Sequence, residues 1–191
     1  MQALKDKIAC EGRNLGSGIL KADTFINHQV DTPLMMAAGR ELARRFASAQ
    51  PTKVLTAEIS GIAPALATAA ALDVPVIFAR KHKPITMPAD CLVETAPSHT
   101  KGHMVELIVS PEVLGPEDRI LIIDDFLASG QTLHALVRVV HRAGGAVVGI
   151  GAVIEKSFEG GRELLASLGL RVESLAVIKA MDDGKIVIAD D

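Results

Sequence analysis

"ILIIDDFLASGQT", residues 120–132, runs from four aliphatic residues into two adjacent aspartates and then into a loop of small residues. An unbroken apolar run of this kind suits a strand buried on both faces, as in a parallel sheet. Two carboxylates side by side at its end repel one another unless each meets a partner. The loop behind them supplies a reason. Ala128, Ser129 and Gly130 let backbone N–H groups approach a ligand closely, and the helix expected to follow adds the positive end of its dipole. The hydroxyls of Ser129 and Thr132 can donate as well. Together these make a cradle for a phosphate. The lysine of a GxxxxGK[ST] loop is missing, which excludes a nucleoside triphosphatase P-loop. An acidic pair is tolerable beside a phosphate if it faces sugar hydroxyls or a bridging metal ion. Asp124 and Asp125 can accept from the 2′-OH and 3′-OH of a ribose and orient the waters of a Mg²⁺ ion.

Outward from this stretch, apolar strands alternate with helical spacing. "KVLTAE" (53–58), "VPVIFAR" (74–80), "MVELIVS" (104–110), "RILIID" (119–124) and "AVVGIGAVIE" (146–155) read as strands. A short amphipathic helix with Leu4 and Ile8 on one face, closed by Gly12, is expected, and a second from Asp31 or Thr32 as cap to about Ser48, with Pro33 in the first turn. Further helices are expected over 63–72, 130–143 and 159–168. Residues 13–30 read as irregular or weakly extended. Two alternating segments, 171–179 and 185–189, flank the turn "MDDGK". The pattern indicates an α/β fold with a mainly parallel central sheet flanked by helices. Residues 81–103 are polar, bear prolines and show no period. A stretch that long without structure is usually a functional lid or a disordered insertion.

The 191 residues fit one domain, and net charge −3 offers no general basic field for a nucleic acid. Cys10 and Cys91 have neither framework nor metal spacing and fit reduced cytoplasmic thiols. No apolar window is long enough to cross a bilayer, and the first residues lack a signal-peptide core. A cytoplasmic protein without a membrane partner is expected.

Ligands of such sheets bind beyond the carboxyl ends of the strands, so the residues just after them matter most. Ser60 and Gly61 sit there, offering a hydroxyl and backbone donors, although a helix-capping serine in a plain turn has the same look. Arg80, Lys81 and Lys83 form a basic cluster at a strand end. Lys156 follows "VVGIGAVIE" and would be presented on the same sheet edge as the aspartates. A lysine only donates, so it favours an oxo group at purine position 6 over an amino group. Phe158 nearby can stack on a base or pack in the core. Gly149 and Gly151 form a bare GxG with no helix behind it, which argues against dinucleotide binding.

Residues 120–132 resemble the phosphoribosyl diphosphate (PRPP) signature of the type I phosphoribosyltransferases. Phe126 departs from the smaller aliphatic residue of many relatives. With "NHQ" (27–29), "SGIAPA" (60–65), "FARKHK" (78–83), "GIGAVIEKSF" (149–158) and "RVESLA" (171–176), it resembles the bacterial xanthine phosphoribosyltransferase subfamily over nearly the whole chain. One departure is the loop Ala-Ser-Gly-Gln-Thr, whose second and fifth positions are Asn and Ala in that subfamily; Ser and Thr are common in the wider family. The resemblance implies a type I phosphoribosyltransferase fold with a lid over about 81–103. It also implies a small hood formed by about 1–40 and the C-terminal segment.

It further implies transfer of the phosphoribosyl group from PRPP to N9 of xanthine, with Mg²⁺ carried by PRPP and met by Asp124 and Asp125 through water. Ala128, Ser129, Gly130, Gln131 and Thr132 would hold the 5′-phosphate, and Ser60, Gly61 and Lys81 the diphosphate. Leu20, Asn27, Lys156 and Phe158 would contact the base. Asp124 and Asp125 would bind the ribose and stabilise positive charge on its ring. A homodimer is implied, with Met35–Arg45 or "FARKH" near its interface. A guanine- or hypoxanthine-preferring enzyme remains an alternative, as does a PRPP-sensing regulator that lost catalysis.

Overall fold

The computed structural model describes residues 1–97, 104–182 and 184–190. Its chain order begins with α1 (Gln2–Glu11), the short strands β1 (Arg13–Asn14) and β2 (Leu20–Lys21), a π-helical turn over Asp23–Asn27, and α2 (Thr32–Phe46). β3 (Lys53–Ala57), α3 (Ile62–Leu72), β4 (Val76–Ala79), β5 (Leu92–Pro97) and β6 (Met104–Val109) follow. The remainder is β7 (Arg119–Leu127), α4 (Gln131–Arg142), β8 (Ala146–Lys156), α5 (Gly161–Ala166), β9 (Val172–Ala180) and β10 (Val187–Ile188).

The central sheet has six strands in the order β10-β9-β8-β7-β3-β4. All neighbours are parallel except β10, which runs antiparallel to β9. β7 explains why: its side chains alternate between two separate cores. Leu121 and Ile123 pack with α1, α2 and α3 residues such as Leu42, Phe46 and Ala65. Ile120 and Ile122 pack on the other side with α4 and its neighbours, including Leu133, Leu136 and Val140. Gly149 and Gly151 belong to this packing. A Cβ on Gly149 would run into the Phe46 ring, and one on Gly151 would sit 2.6 Å from Ile123 Cδ1 and 3.0 Å from Leu42 Cδ2. The GxG therefore serves the close approach of α2 to β8, consistent with the reading against a dinucleotide.

Asp31 caps α2, its side chain accepting from the Leu34 N–H at 3.1 Å, with Pro33 in the first turn. Such a cap stabilises a helix by about 1 kcal/mol. Lys7 of α1 reaches the same Asp31 at 3.0 Å, tying the first two helices together.

Three expectations need correction. The segment 81–103 is not without structure: Leu92–Pro97 is β5, paired antiparallel with β6 from Leu92↔Val109 to Pro97↔Met104. Its partner is another short strand outside the sheet, so neither length nor strong alternation marks it in sequence. β6 meets the central sheet through a bridge between Arg80 and Ile108. Arg138 and Arg142 of α4 fix the base of this hairpin, binding Glu94 at 2.7 and 3.1 Å. Second, β7 does not end at Asp124 but continues to Leu127, so the aspartates lie within the strand. Third, α5 is shorter than expected, Gly161–Ala166, because a 3-10 turn takes Ser157–Glu159. His99 and His103, in the expected lid, lie outside the described residues.

The chain runs from β3 outward to β4 and then returns to β7 on the other side of β3. Ligands of open parallel sheets bind in the crevice where the strand order reverses. The carboxyl ends of β3 and β7 border that crevice.

Candidate active site

A cavity of about 300 Å³ opens at this crevice. It is lined by the ends of β3, β7 and β8, by the start of α4, by the hairpin β5–β6, and by the N-terminal residues Ile19, Leu20 and Asn27. Asp124, Asp125, Ala128, Ser129, Gly130, Gln131, Thr132, Ser60, Gly61, Lys81, Leu20, Asn27 and Lys156 all face it. The structure thus brings together thirteen of the fourteen residues singled out in sequence. Phe158 is not among the lining residues and is 43% exposed beside the hood.

The phosphate loop is built by close packing. Gly130 has φ +75°, a conformation that favours glycine, and begins α4 without a side chain to cap it. The first amides of α4 are left to an anion, and the dipole favours one. Gly161 packs against the back of the loop and donates its N–H to Ala128 O at 3.0 Å. A Cβ on Gly161 would run into Ala128 O and sit 2.7 Å from Gly130 N. Sequence reasoning missed this support, although the pair Gly160–Gly161 was its visible trace.

Asp124 and Asp125 are each 8% exposed. The Asp125 N–H donates to Asp124 Oδ1 at 3.0 Å. Burial, reinforced by the neighbouring Asp125 charge, pushes the Asp124 carboxyl well above the usual carboxylate range; Lys81 opposes this from across the cavity. A buried acidic pair of this kind is poised for hydroxyl groups or developing positive charge. Below it, the peptide between Glu58 and Ile59 is cis. The Glu58 carboxylate accepts from the Lys81 N–H at 2.7 Å and pairs with Arg80 at 2.8 Å, joining the Ser60–Gly61 loop to the basic strand end.

Lys156 is the last residue of β8 and is 6% exposed. Its ammonium donates to Gly18 O at 2.6 Å and meets Glu159 at 3.2 Å. It also lies 5.6 Å from the centre of the Phe126 ring. Phe126, near the end of β7, packs on the side of the sheet that carries Leu121 and Ile123 and also lines the cavity. Phe126 is the phenylalanine among the lining residues, and Phe158 is not. Cavity walls from Ala96, Pro97, Val105 and Leu107 of the hairpin were also not foreseen.

The cavity thus sets the loop at the start of α4 and the acidic pair beside Phe126, Lys156 and the N-terminal residues Ile19, Leu20 and Asn27. The family model for the phosphoribosyl transferase domain matches residues 29–163, which hold the pair, both loops and Lys156. The chain belongs to the phosphoribosyl transferase family.

Other members of the phosphoribosyl transferase family resemble it over nearly their full length. Those named xanthine phosphoribosyltransferase include one from Geobacillus thermodenitrificans, 51% identical over 97% of this chain and 96% of the relative. One from Moorella thermoacetica is 48% identical over 97% and 95%, respectively. Among solved structures, an adenine phosphoribosyltransferase from Rhodothermus marinus aligns with TM-score 0.71 at 27% identity, covering 93% of this chain and 99% of that one. Another, from Thermoanaerobacter pseudethanolicus, has TM-score 0.73 at 22% identity, covering 91% and 98%. The likeness to the second supports the fold alone.

Proposed function

We propose that the chain transfers the 5-phosphoribosyl group of PRPP to N9 of xanthine, giving xanthosine 5′-monophosphate and diphosphate for purine salvage. One observation carries this reading: the buried pair Asp124–Asp125, the loop at the start of α4 and Lys156 all line one cavity. Relatives of that name at about half identity support the choice of base.

The loop Ala128–Thr132 and the start of α4 take the 5′-phosphate. Asp124 and Asp125 accept from the ribose 2′-OH and 3′-OH. As the bond from C1′ to the diphosphate oxygen breaks, their negative charge stabilises the cationic ribose ring. Ser60, Gly61 and Lys81 hold the departing diphosphate. N9 of xanthine forms the new bond to C1′ and its proton is lost. Lys156 donates to O6, exchanging the Gly18 carbonyl for the base, and Asn27 answers the 2-oxo group and ring N–H. Phe126 and Leu20 cover the ring.

Magnesium fits this site as part of the substrate. The two aspartates suit an ion carried on diphosphate and met through water. It would neutralise the leaving group. The hairpin β5–β6 serves as the lid that excludes water, and the N-terminal segment with the C-terminal strand as the hood. A second copy of the chain is placed against the β4 edge, where Phe78 is 39% exposed. No helix among the described residues is long and apolar enough to cross a membrane.

Diphosphate release from Mg²⁺–PRPP, followed with and without xanthine, tests the reading. Release that requires xanthine and matches nucleotide formation one for one is expected. Release independent of any purine, or PRPP binding without turnover, contradicts it and favours a PRPP-sensing protein.

A further inference from the structure

Thr56 stands in β3, one residue before the strand's end, and is wholly buried. A valine there would fill nearly the same space without a polar atom, so the hydroxyl carries a desolvation cost that only a partner repays. No hydrogen-bond partner for Thr56 Oγ1 exists among the described residues. What lies in front of it is informative. A Cβ on Gly61 would run into Thr56 Oγ1 and would sit 2.5 Å from Asp124 Oδ1 and 3.1 Å from Ala57 O. The hydroxyl and the carboxylate therefore border one small gap, kept open by the missing side chain of Gly61. β3 and β7 are parallel neighbours, so the two groups are presented from adjacent strands. Asp124 Oδ1 already accepts from the Asp125 N–H, and Ala57 O cannot donate. Of the three atoms nearest that position, only Thr56 Oγ1 can donate.

We infer that Thr56 is a positioning residue for Asp124. On substrate binding its hydroxyl donates to Asp124 Oδ1, fixing the rotation of the carboxylate so that its other oxygen meets the ribose. Ser60 and Gly61 shift with the diphosphate and close the gap. Thr56 touches neither substrate. The inference rests on the proposed role of Asp124 in ribose binding.

The test uses Thr56→Val, Thr56→Ser, Asp124→Asn and the double variant Thr56→Val/Asp124→Asn, with steady-state kinetics and thermal melts. Thr56→Val is expected to lower kcat on the order of ten-fold, with KM for PRPP and xanthine changed less than about three-fold and the melting temperature not lowered. Thr56→Ser restores kcat to within about two-fold of wild type, and the double variant is no slower than Asp124→Asn alone. An impaired Asp124→Asn beside a Thr56→Val with wild-type kcat overturns the positioning role while leaving the proposed function standing. A Thr56→Ser as slow as Thr56→Val assigns the effect to packing and overturns it too. An unimpaired Asp124→Asn removes both the role of Asp124 and this inference.

Discussion

The ammonium of Lys156 lies 2.6 Å from the carbonyl oxygen of Gly18. The side chain proposed to read the base thus ties the N-terminal segment around Gly18 to the end of β8. Under the proposed function, purine O6 would replace Gly18 O as the acceptor of this ammonium, so base binding would release the N-terminal segment from β8. Lys156→Ala is expected to raise KM for xanthine about 10- to 100-fold, the worth of a charged hydrogen bond, and to narrow the preference for 6-oxopurines over adenine. Competition between xanthine and adenine on the variant measures this; unchanged discrimination would remove the assigned role of Lys156.

Gly161 sits behind the phosphate loop, where a methyl group would meet Ala128 O and Gly130 N. Both contacts are backbone and cannot swing away. Gly161→Ala should therefore raise KM for PRPP by roughly ten-fold or more, with base affinity little changed. Titration calorimetry with inorganic phosphate gives a second readout: wild-type phosphate affinity in the variant would count against the packing argument.

How much of this was legible follows from where each signal lies along the chain. The acidic pair and the phosphate loop are contiguous, so their chemistry is written in thirteen successive residues. The role of Gly161 arises from packing across space, and only the doublet Gly160–Gly161 hints at it. Phe126 was hidden by a strand end placed too early. With β7 taken to stop at Asp124, Phe126 falls in a loop without a direction; β7 runs to Leu127, and Phe126 packs on the Leu121 and Ile123 side, off the simple alternation that Ile122 and Asp124 would set. β5 escaped because its pairing partner is the equally short β6, and each pairs outside the central sheet. The parallel sheet, by contrast, announced itself through strands buried on both faces.

Asp124 shows the cost of assembling such a site. Its carboxyl is pushed well above the ordinary range, first by burial and then by Asp125. A carboxyl with a raised folded-state pKa favours the fold only while protonated. That contribution is present below the unfolded value and is lost as pH rises through the folded one. At neutral pH the ionised group opposes folding. Asp124→Asn should therefore raise stability at pH 7 by about 1 kcal/mol while lowering kcat, and the gain should shrink on acidification. Denaturant melts at pH 7 and pH 4 check the sign; a variant less stable than wild type at pH 7 would show that the carboxylate is stabilised instead.

The central claim, transfer to xanthine by a site built for 6-oxopurines, is tested most directly by kcat/KM for xanthine, guanine, hypoxanthine and adenine at saturating Mg²⁺–PRPP. The account predicts xanthine first, the other two 6-oxopurines measurably slower, and adenine without detectable turnover. Guanine or hypoxanthine used as well as xanthine, or adenine used at all, would contradict it.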